Sequence, residues 1–193
     1  MIKTLQINLN RCHEAHDLLE QSLETEKYDL AVVSEPNQAR MPGSGWETDL
    51  RGDAAIWTSR RMQGVTRARG RGEGFVWLDF GETVVYSCYI SPNVPIGTYD
   101  EFLQRLETSI EGQSRMRLII VAGDFNAWSE DWGSTTTKAE GEAVVEMTCR
   151  MGLILANDGK EPTFCTGRRE SFVDLTFFSE ASGGSIRDWQ VLI

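Results

Sequence analysis

The stretch LIIVAGDF (118–125) is the most continuous apolar run in the chain, and it stops abruptly at Gly-Asp-Phe-Asn. A short run of this kind, bounded by turn residues, fits a strand buried on both faces. The chain must therefore supply layers on either side of it. The run also delivers Asp124 and Asn126 to the end of a central strand. Gly, Asp and Asn there could simply form a turn, so the rest of the sequence has to choose between a turn and a site.

The flanking segments supply the layers. KTLQINL (3–9) alternates as a strand, and His13 to Glu26 carries Ala15, Leu18, Leu19 and Leu23 at helical spacing. DLAVVSEP (29–36) is a second buried strand stopped by proline. Residues 54–59, 64–70, 74–80 and 83–90 are four more strand candidates, with glycine-containing connections that favour hairpins. Thr98 with Glu101 and Thr137 with Glu140 have capping-box spacing, predicting helices through Ile110 and through Met151, the second stopped by Gly152. LILAN, PTFCT, SFVDLTFF and IRDWQVLI close the chain as short strands. Strands in runs with single helices between them predict an α+β or mixed α/β domain, with two packed sheets and helices outside.

With 193 residues, 40% hydrophobic and 25% charged, the chain fits one folded domain over residues 1–193. No stretch approaches the ~20 apolar residues of a membrane span, so no membrane partner is expected. MIKTLQINLN is too polar for a signal peptide, which makes a cytosolic or nuclear protein the expectation. Cys12, Cys88, Cys149 and Cys165 form no C-x-x-C pair and are expected to be reduced and structural. The net charge of −10 argues against a nucleic-acid partner, but the charge is unevenly spread. Between Ser59 and Gly74 stand Arg60, Arg61, Arg67, Arg69 and Arg71 against a single acid, Glu73. This is either a solvated hairpin or a local footprint for phosphate. His13 and His16 are expected at the surface, and Trp128 and Trp132 could either stack on DNA or pack.

Polar residues recur where these strands end: Asn8 in QINLN, Glu35 in VVSEP, Tyr89 in CYISP, Asp124 and Asn126 in GDFNA, and Asp174 in SFVDLTF. Metal-assisted phosphodiester cleavage needs such a set. Mg²⁺ takes hard oxygen ligands, commonly one or two carboxylates plus the substrate phosphate. Asn and Tyr side chains can donate to phosphate oxygens, and an aspartate can deprotonate water.

In these motifs and their order, from about Lys3 to the last residue, the sequence resembles the endonuclease/exonuclease/phosphatase superfamily. Within it, the chain is similar to the apurinic-type endonuclease domain of non-LTR (LINE-type) retrotransposons. The resemblance implies a four-layer α/β sandwich, with two mixed β-sheets face to face, flanked by helices. It implies that Glu35 binds the metal, Mg²⁺ with Mn²⁺ as substitute, and that Asn8 supports the metal site. By the same resemblance Tyr89 and Asn126 contact phosphate, Asp124 activates water, and Asp174 orients a catalytic histidine. The implied reaction nicks one strand of double-stranded target DNA, leaving a 3′-OH that primes reverse transcription. The implied partner in the full-length protein is a fused reverse-transcriptase domain, and the implied place of action is the nucleus after synthesis in the cytoplasm. The family's Ser-Asp-His motif has no counterpart here; DWQVLI stands where the chain ends. The expectation is an apparently truncated domain with weak or no nuclease activity on its own. An apurinic repair nuclease, another phosphoesterase of the superfamily, and a non-catalytic DNA-targeting module are the alternative readings. In the nuclease reading the arginine run grips the DNA backbone beside the site.

Overall fold

The computed structural model describes residues 1–41, 44–113, 117–167, 169–180 and 186–192. In chain order the elements are β1 (Thr4–Asn8), α1 (His13–Thr25), β2 (Leu30–Ser34), β3 (Trp46–Thr48), β4 (Ala54–Thr58), α2 (Arg60–Gln63), β5 (Ala68–Gly72) and β6 (Phe75–Asp79). They continue with β7 (Thr83–Tyr89), α3 (Ile96–Glu111), β8 (Leu118–Asp124), α4 (Ala139–Met151), β9 (Leu153–Leu155), β10 (Phe164–Thr166), β11 (Arg169–Ser171) and β12 (Asp174–Ser179). One sheet has the order β1-β2-β4-β3 and a second the order β5-β6-β7-β8-β12-β9, while β10 and β11 form a separate hairpin. Both large sheets are mixed: β1–β2 and β7–β8 run parallel and the remaining pairs antiparallel.

Three apolar clusters fix the layers. Leu30, Val32 and Ile56 of the four-stranded sheet pack against Val76, Leu78, Val85 and Ala122 of the six-stranded sheet. On the outer side of the smaller sheet, Leu19 and Leu23 of α1 cover Ala31, Val33 and Ala55. On the outer side of the larger sheet, Phe102, Leu106 and Ile110 of α3 and Val144 and Met147 of α4 cover Tyr86, Val121 and Phe177. The result is the four-layer sandwich that the resemblance implies, with two packed sheets and helices outside. Strand β8 lies inside its sheet between β7 and β12, as its apolar run requires.

Several local expectations change. Helix α3 starts at Ile96 after Pro95, so Thr98 lies within the first turn and caps nothing; a proline there supplies a preset φ instead. Helix α4 begins after Lys138, and the Thr137 hydroxyl accepts from Glu130 N. Gly152 does end α4, with φ at 64°. His16 is fully buried against Trp46, ring centroids 5.4 Å apart, because α1 turns that face toward the sheet; His13 is exposed, as is Leu18. Trp132 is buried, and Trp128 carries the Lys138 ammonium over its ring. Only Cys88 is a buried thiol; Cys12, Cys149 and Cys165 are exposed, and all four are free. Residues 186–192 form no strand, although Trp189 Nε1 donates to Thr176 Oγ1. Among the described residues, no helix is long and apolar enough to cross a membrane.

Candidate active site

Register brings the rim residues together. Asp174 opens β12 opposite Asp124, the last residue of β8, and Asp124 is aligned with Tyr89, the last residue of β7. Residues paired in this way share a face of the sheet. From the other sheet, Asn8 ends β1 opposite Ser34, and Glu35 follows directly. The two sheets meet at this end through hydrogen bonds rather than apolar side chains. Ser34 Oγ accepts from Asp124 N and donates to the Cys88 carbonyl, while Gln6 Nε2 donates to the Gly123 and Leu175 carbonyls.

Asn8 is the hinge of the cluster. Its Nδ2 donates to Asp124 Oδ2 at 2.8 Å and to Glu35 Oε2 at 3.4 Å, while its Oδ1 accepts from Asn10 N at 2.7 Å. The amide therefore presents donors to both carboxylates, and its oxygen is already engaged. Asp124 Oδ1 accepts from the backbone N of Asn126, whose side-chain Nδ2 donates to the Ile90 carbonyl. Glu35, Asn126, Asn10 and Arg11 all have φ near +50°, four of the six non-glycine residues with positive φ among those described. Backbone strain of this kind gathers at functional sites.

Burial raises both aspartates of the rim. Burial, only partly offset by hydrogen bonds from Asn126 and Asn8, pushes Asp124 up to about 6. Burial and the neighbouring Asp124 push Asp174 up to about 7. Asp174 is half-buried as a residue, but its Oδ1 is sealed from solvent and has no partner among the described residues. Burial, followed by the Glu35, Asp124 and Asp53 carboxylates, raises the Tyr89 phenol far above its usual value, so it stays a proton donor.

The raised carboxyls set a pH dependence of stability. Unfolded aspartates titrate near ~3.9, so between about pH 4 and pH 7 the folded state holds more protons than the unfolded one. Stability then falls as pH rises through that window. In chelator, the protein should be more resistant to urea at pH 5 than at pH 8. Asp174→Asn should flatten the difference and gain on the order of 1–3 kcal/mol at pH 8. A variant with the wild-type pH slope would disprove this assignment.

The sequence reading missed three contributors. Arg11 Nη2 pairs with Asp53 Oδ1 at 2.6 Å, and Arg11 Nε lies 3.8 Å from Glu35 Oε1, which closes the rim on that side. Asp49 is buried and accepts from the backbone N of Arg51, Asp53, Ala54 and Gly74, tying the loop before β4 to the β5–β6 turn. Asp49 and Asp53 stood in a polar loop with no strand-end pattern to mark them.

The arginine run does not lie together beside the site. Arg60 and Arg61 sit on α2, after the end of β4 whose Thr58 pairs with Leu30, which in turn pairs with Thr4. That row is the opposite end of the sandwich, where Arg61 pairs with Asp29. Arg67 is bound there too, through its backbone N to Asp79. Arg69 pairs with Glu47 midway along β5, and only Arg71, next to Gly72, approaches the site end.

The donors facing the rim are oxygens of Glu35 and Asp124, without cysteine or histidine. No cluster of three or more His, Cys, Asp or Glu able to hold a metal occurs among the described residues. The carboxylate oxygens of Glu35 and Asp124 are hard donors of the kind that Mg²⁺ takes, commonly one or two carboxylates with a substrate phosphate.

Residues 83–191 match the family described as endonuclease-reverse transcriptase. Among solved structures, the chain is similar to the endonuclease domain of TRAS1, a telomere-specific non-LTR retrotransposon. The identity is 28% and the TM-score 0.75, over 93% of this chain and 86% of that one. An AP endonuclease from Archaeoglobus fulgidus shares the fold at 13% identity and TM-score 0.68, over 93% of this chain and 87% of that one. No curated protein matches the chain. The matched span includes Tyr89, the Gly-Asp-Phe-Asn segment and Asp174, and the chain belongs to the endonuclease-reverse transcriptase family.

Proposed function

We propose that this domain is a Mg²⁺-dependent DNA endonuclease that nicks one strand of double-stranded target DNA. The single observation that carries this reading is the hydrogen-bonded cluster of Glu35, Asn8, Asp124 and Asn126, with Tyr89 and Asp174 in register beside it. Glu35 would hold the metal, with Asn8 fixing its carboxylate rather than ligating. A bound Mg²⁺, or Mn²⁺ in its place, supplies positive charge to the phosphoryl oxygens. The side-chain amide of Asn126 and the Tyr89 hydroxyl donate to the scissile phosphate. Asp124, ionised above about pH 6, takes a proton from the attacking water. Attack at phosphorus breaks the bond to the 3′ oxygen, which takes a proton from solvent water and leaves as a 3′-OH, while the other strand end keeps a 5′-phosphate. The family description and the retrotransposon relative support a linked reverse-transcriptase domain and priming of reverse transcription by that hydroxyl; in this reading the domain acts on chromosomal DNA in the nucleus.

Asp174 has the place of a residue that orients a partner, yet its Oδ1 has none among the described residues, and both histidines lie on α1. Residues 1–193 should therefore nick supercoiled plasmid slowly. EDTA should stop the reaction, Mg²⁺ or Mn²⁺ should restore it, and the nicks should be extendable by a polymerase. Brisk turnover would show that no histidine is needed. Binding without any nicking at high enzyme concentration would favour the non-catalytic DNA-targeting module.

A further inference from the structure

Next to Tyr89, three separate elements bring charged side chains to one recess. Arg51 comes from the loop between β3 and β4, Glu73 from the β5–β6 turn and Arg105 from α3; Tyr89 and Asp53 line the wall toward the active site. Arg51 Nη2 donates to Glu73 Oε2 at 2.8 Å, and Arg105 Nη2 lies 3.9 Å from the same oxygen. One carboxylate thus stands between two guanidinium groups. The remaining acids offer little competition. Asp53 is taken by Arg11, and Glu101, 71% exposed, lies 3.9 Å from Arg105 Nη1.

These pairs add little to the fold. The Arg51, Glu73 and Arg105 side chains are 41–55% exposed, where solvent screening leaves ion pairs little net effect on stability. The loop that Arg51 would tether is already held to the same turn by Asp49, through Gly74 N and three further backbone donors. Two guanidiniums converging on one anionic oxygen, beside a phosphate-cleaving rim, have the chemistry of a phosphate seat.

We propose that Arg51 and Arg105 bind a backbone phosphate of the cleaved strand adjacent to the scissile one, and that Glu73 is an anionic stand-in which this phosphate displaces. The inference rests on the nuclease reading. It makes the recess a second hold on the strand, one that positions the scissile phosphate against Tyr89 and Asp124.

Anisotropy titrations of a nickable duplex with the 193-residue protein, in chelator, test it. Glu73→Gln should tighten binding several-fold in the wild-type background and change nothing when Arg51→Ala and Arg105→Ala are both present. A duplex series with one neutral methylphosphonate at a time should reveal a single position, next to the nick, where the wild type loses affinity. There the slope of log K against log salt should become shallower by about 0.9. The double-arginine variant should be indifferent to that position, and Arg105→Lys should recover part of the affinity. Equal tightening by Glu73→Gln in both backgrounds would mean a general charge effect and overturn the proposal. So would a methylphosphonate series without a position specific to the two arginines. If nicking persists while these outcomes fail, the seat falls and the nuclease reading stands. If the wild type neither binds nor nicks DNA, both fall.

Discussion

Asp124→Asn should lower DNA nicking by about 10²–10⁴-fold, the usual contribution of a positioned general base, while duplex affinity stays within about threefold. The asparagine keeps the side chain's size and its place beside Asn8 and Asn126, but it cannot accept a proton at neutral pH. Asp124→Ala should be at least as inactive. Its affinity should hold or rise, because a negative charge close to the phosphate has been removed. Plasmid nicking with Mg²⁺ and anisotropy in chelator measure the two quantities separately. Nicking within about tenfold of wild type, with affinity unchanged, would remove Asp124 from the mechanism.

The expected size of the effect follows from the surroundings of Asp124 rather than from its identity. The side chain is buried at 5% exposure, yet it receives hydrogen bonds from Asn8 Nδ2 and Asn126 N. Burial raises its pKa to about 6, near the working pH of a base, and the two donors keep the ionised form accessible. Asp174, one strand away, is raised as well, by burial and by the neighbouring Asp124. Two aspartates in register thus hold their protons as an interacting pair, each raised by burial.

Much of this was legible from residue order. An apolar run followed by Gly-Asp-Phe-Asn has to be a buried strand with a polar end, and Asn8, Glu35, Tyr89 and Asp174 mark four more strand ends at the same rim. Period and strand termini carry that information. What escaped was non-local pairing. Asp49 and Asp53 sit in a loop whose importance comes from bonds to Gly74 N and to Arg11, partners far away in the chain. Ser34 stands in an apolar strand with no pattern to mark it, and it bridges the sheets. The arginine run misled for the opposite reason. Proximity in sequence suggested one patch, whereas α2 and the length of β5 distribute its members from one end of the sandwich to the other. The two capping boxes failed because Pro95 and Lys138 begin their helices at other positions.

Gly123 carries the last and most severe structural expectation. Its φ is +150°, and a Cβ at this position would stand 1.9 Å from the Cys88 carbonyl oxygen, 2.7 Å from its carbon and 2.8 Å from its nitrogen. All three are main-chain atoms of β7, so no rotamer change relieves the clash. Strands β7 and β8 would have to part at Cys88–Gly123, the pair immediately before Tyr89–Asp124. Gly123→Ala should therefore cost more than ~3 kcal/mol, beyond ordinary overpacking. At about 2–4 °C per kcal/mol for a domain of this size, the melting temperature should fall by roughly 10 °C. The fraction that still folds should nick poorly, because the displaced row is the one that presents the phenol and the carboxylate. Gly97→Ala is the control: nothing lies within 4 Å of its Cβ, it is helical, and the change should be neutral or stabilising. A Gly123→Ala protein that melts and nicks like wild type would show that the strands do not approach this closely. The glycine of Gly-Asp-Phe-Asn would then owe its place to something other than the strand that it lets in.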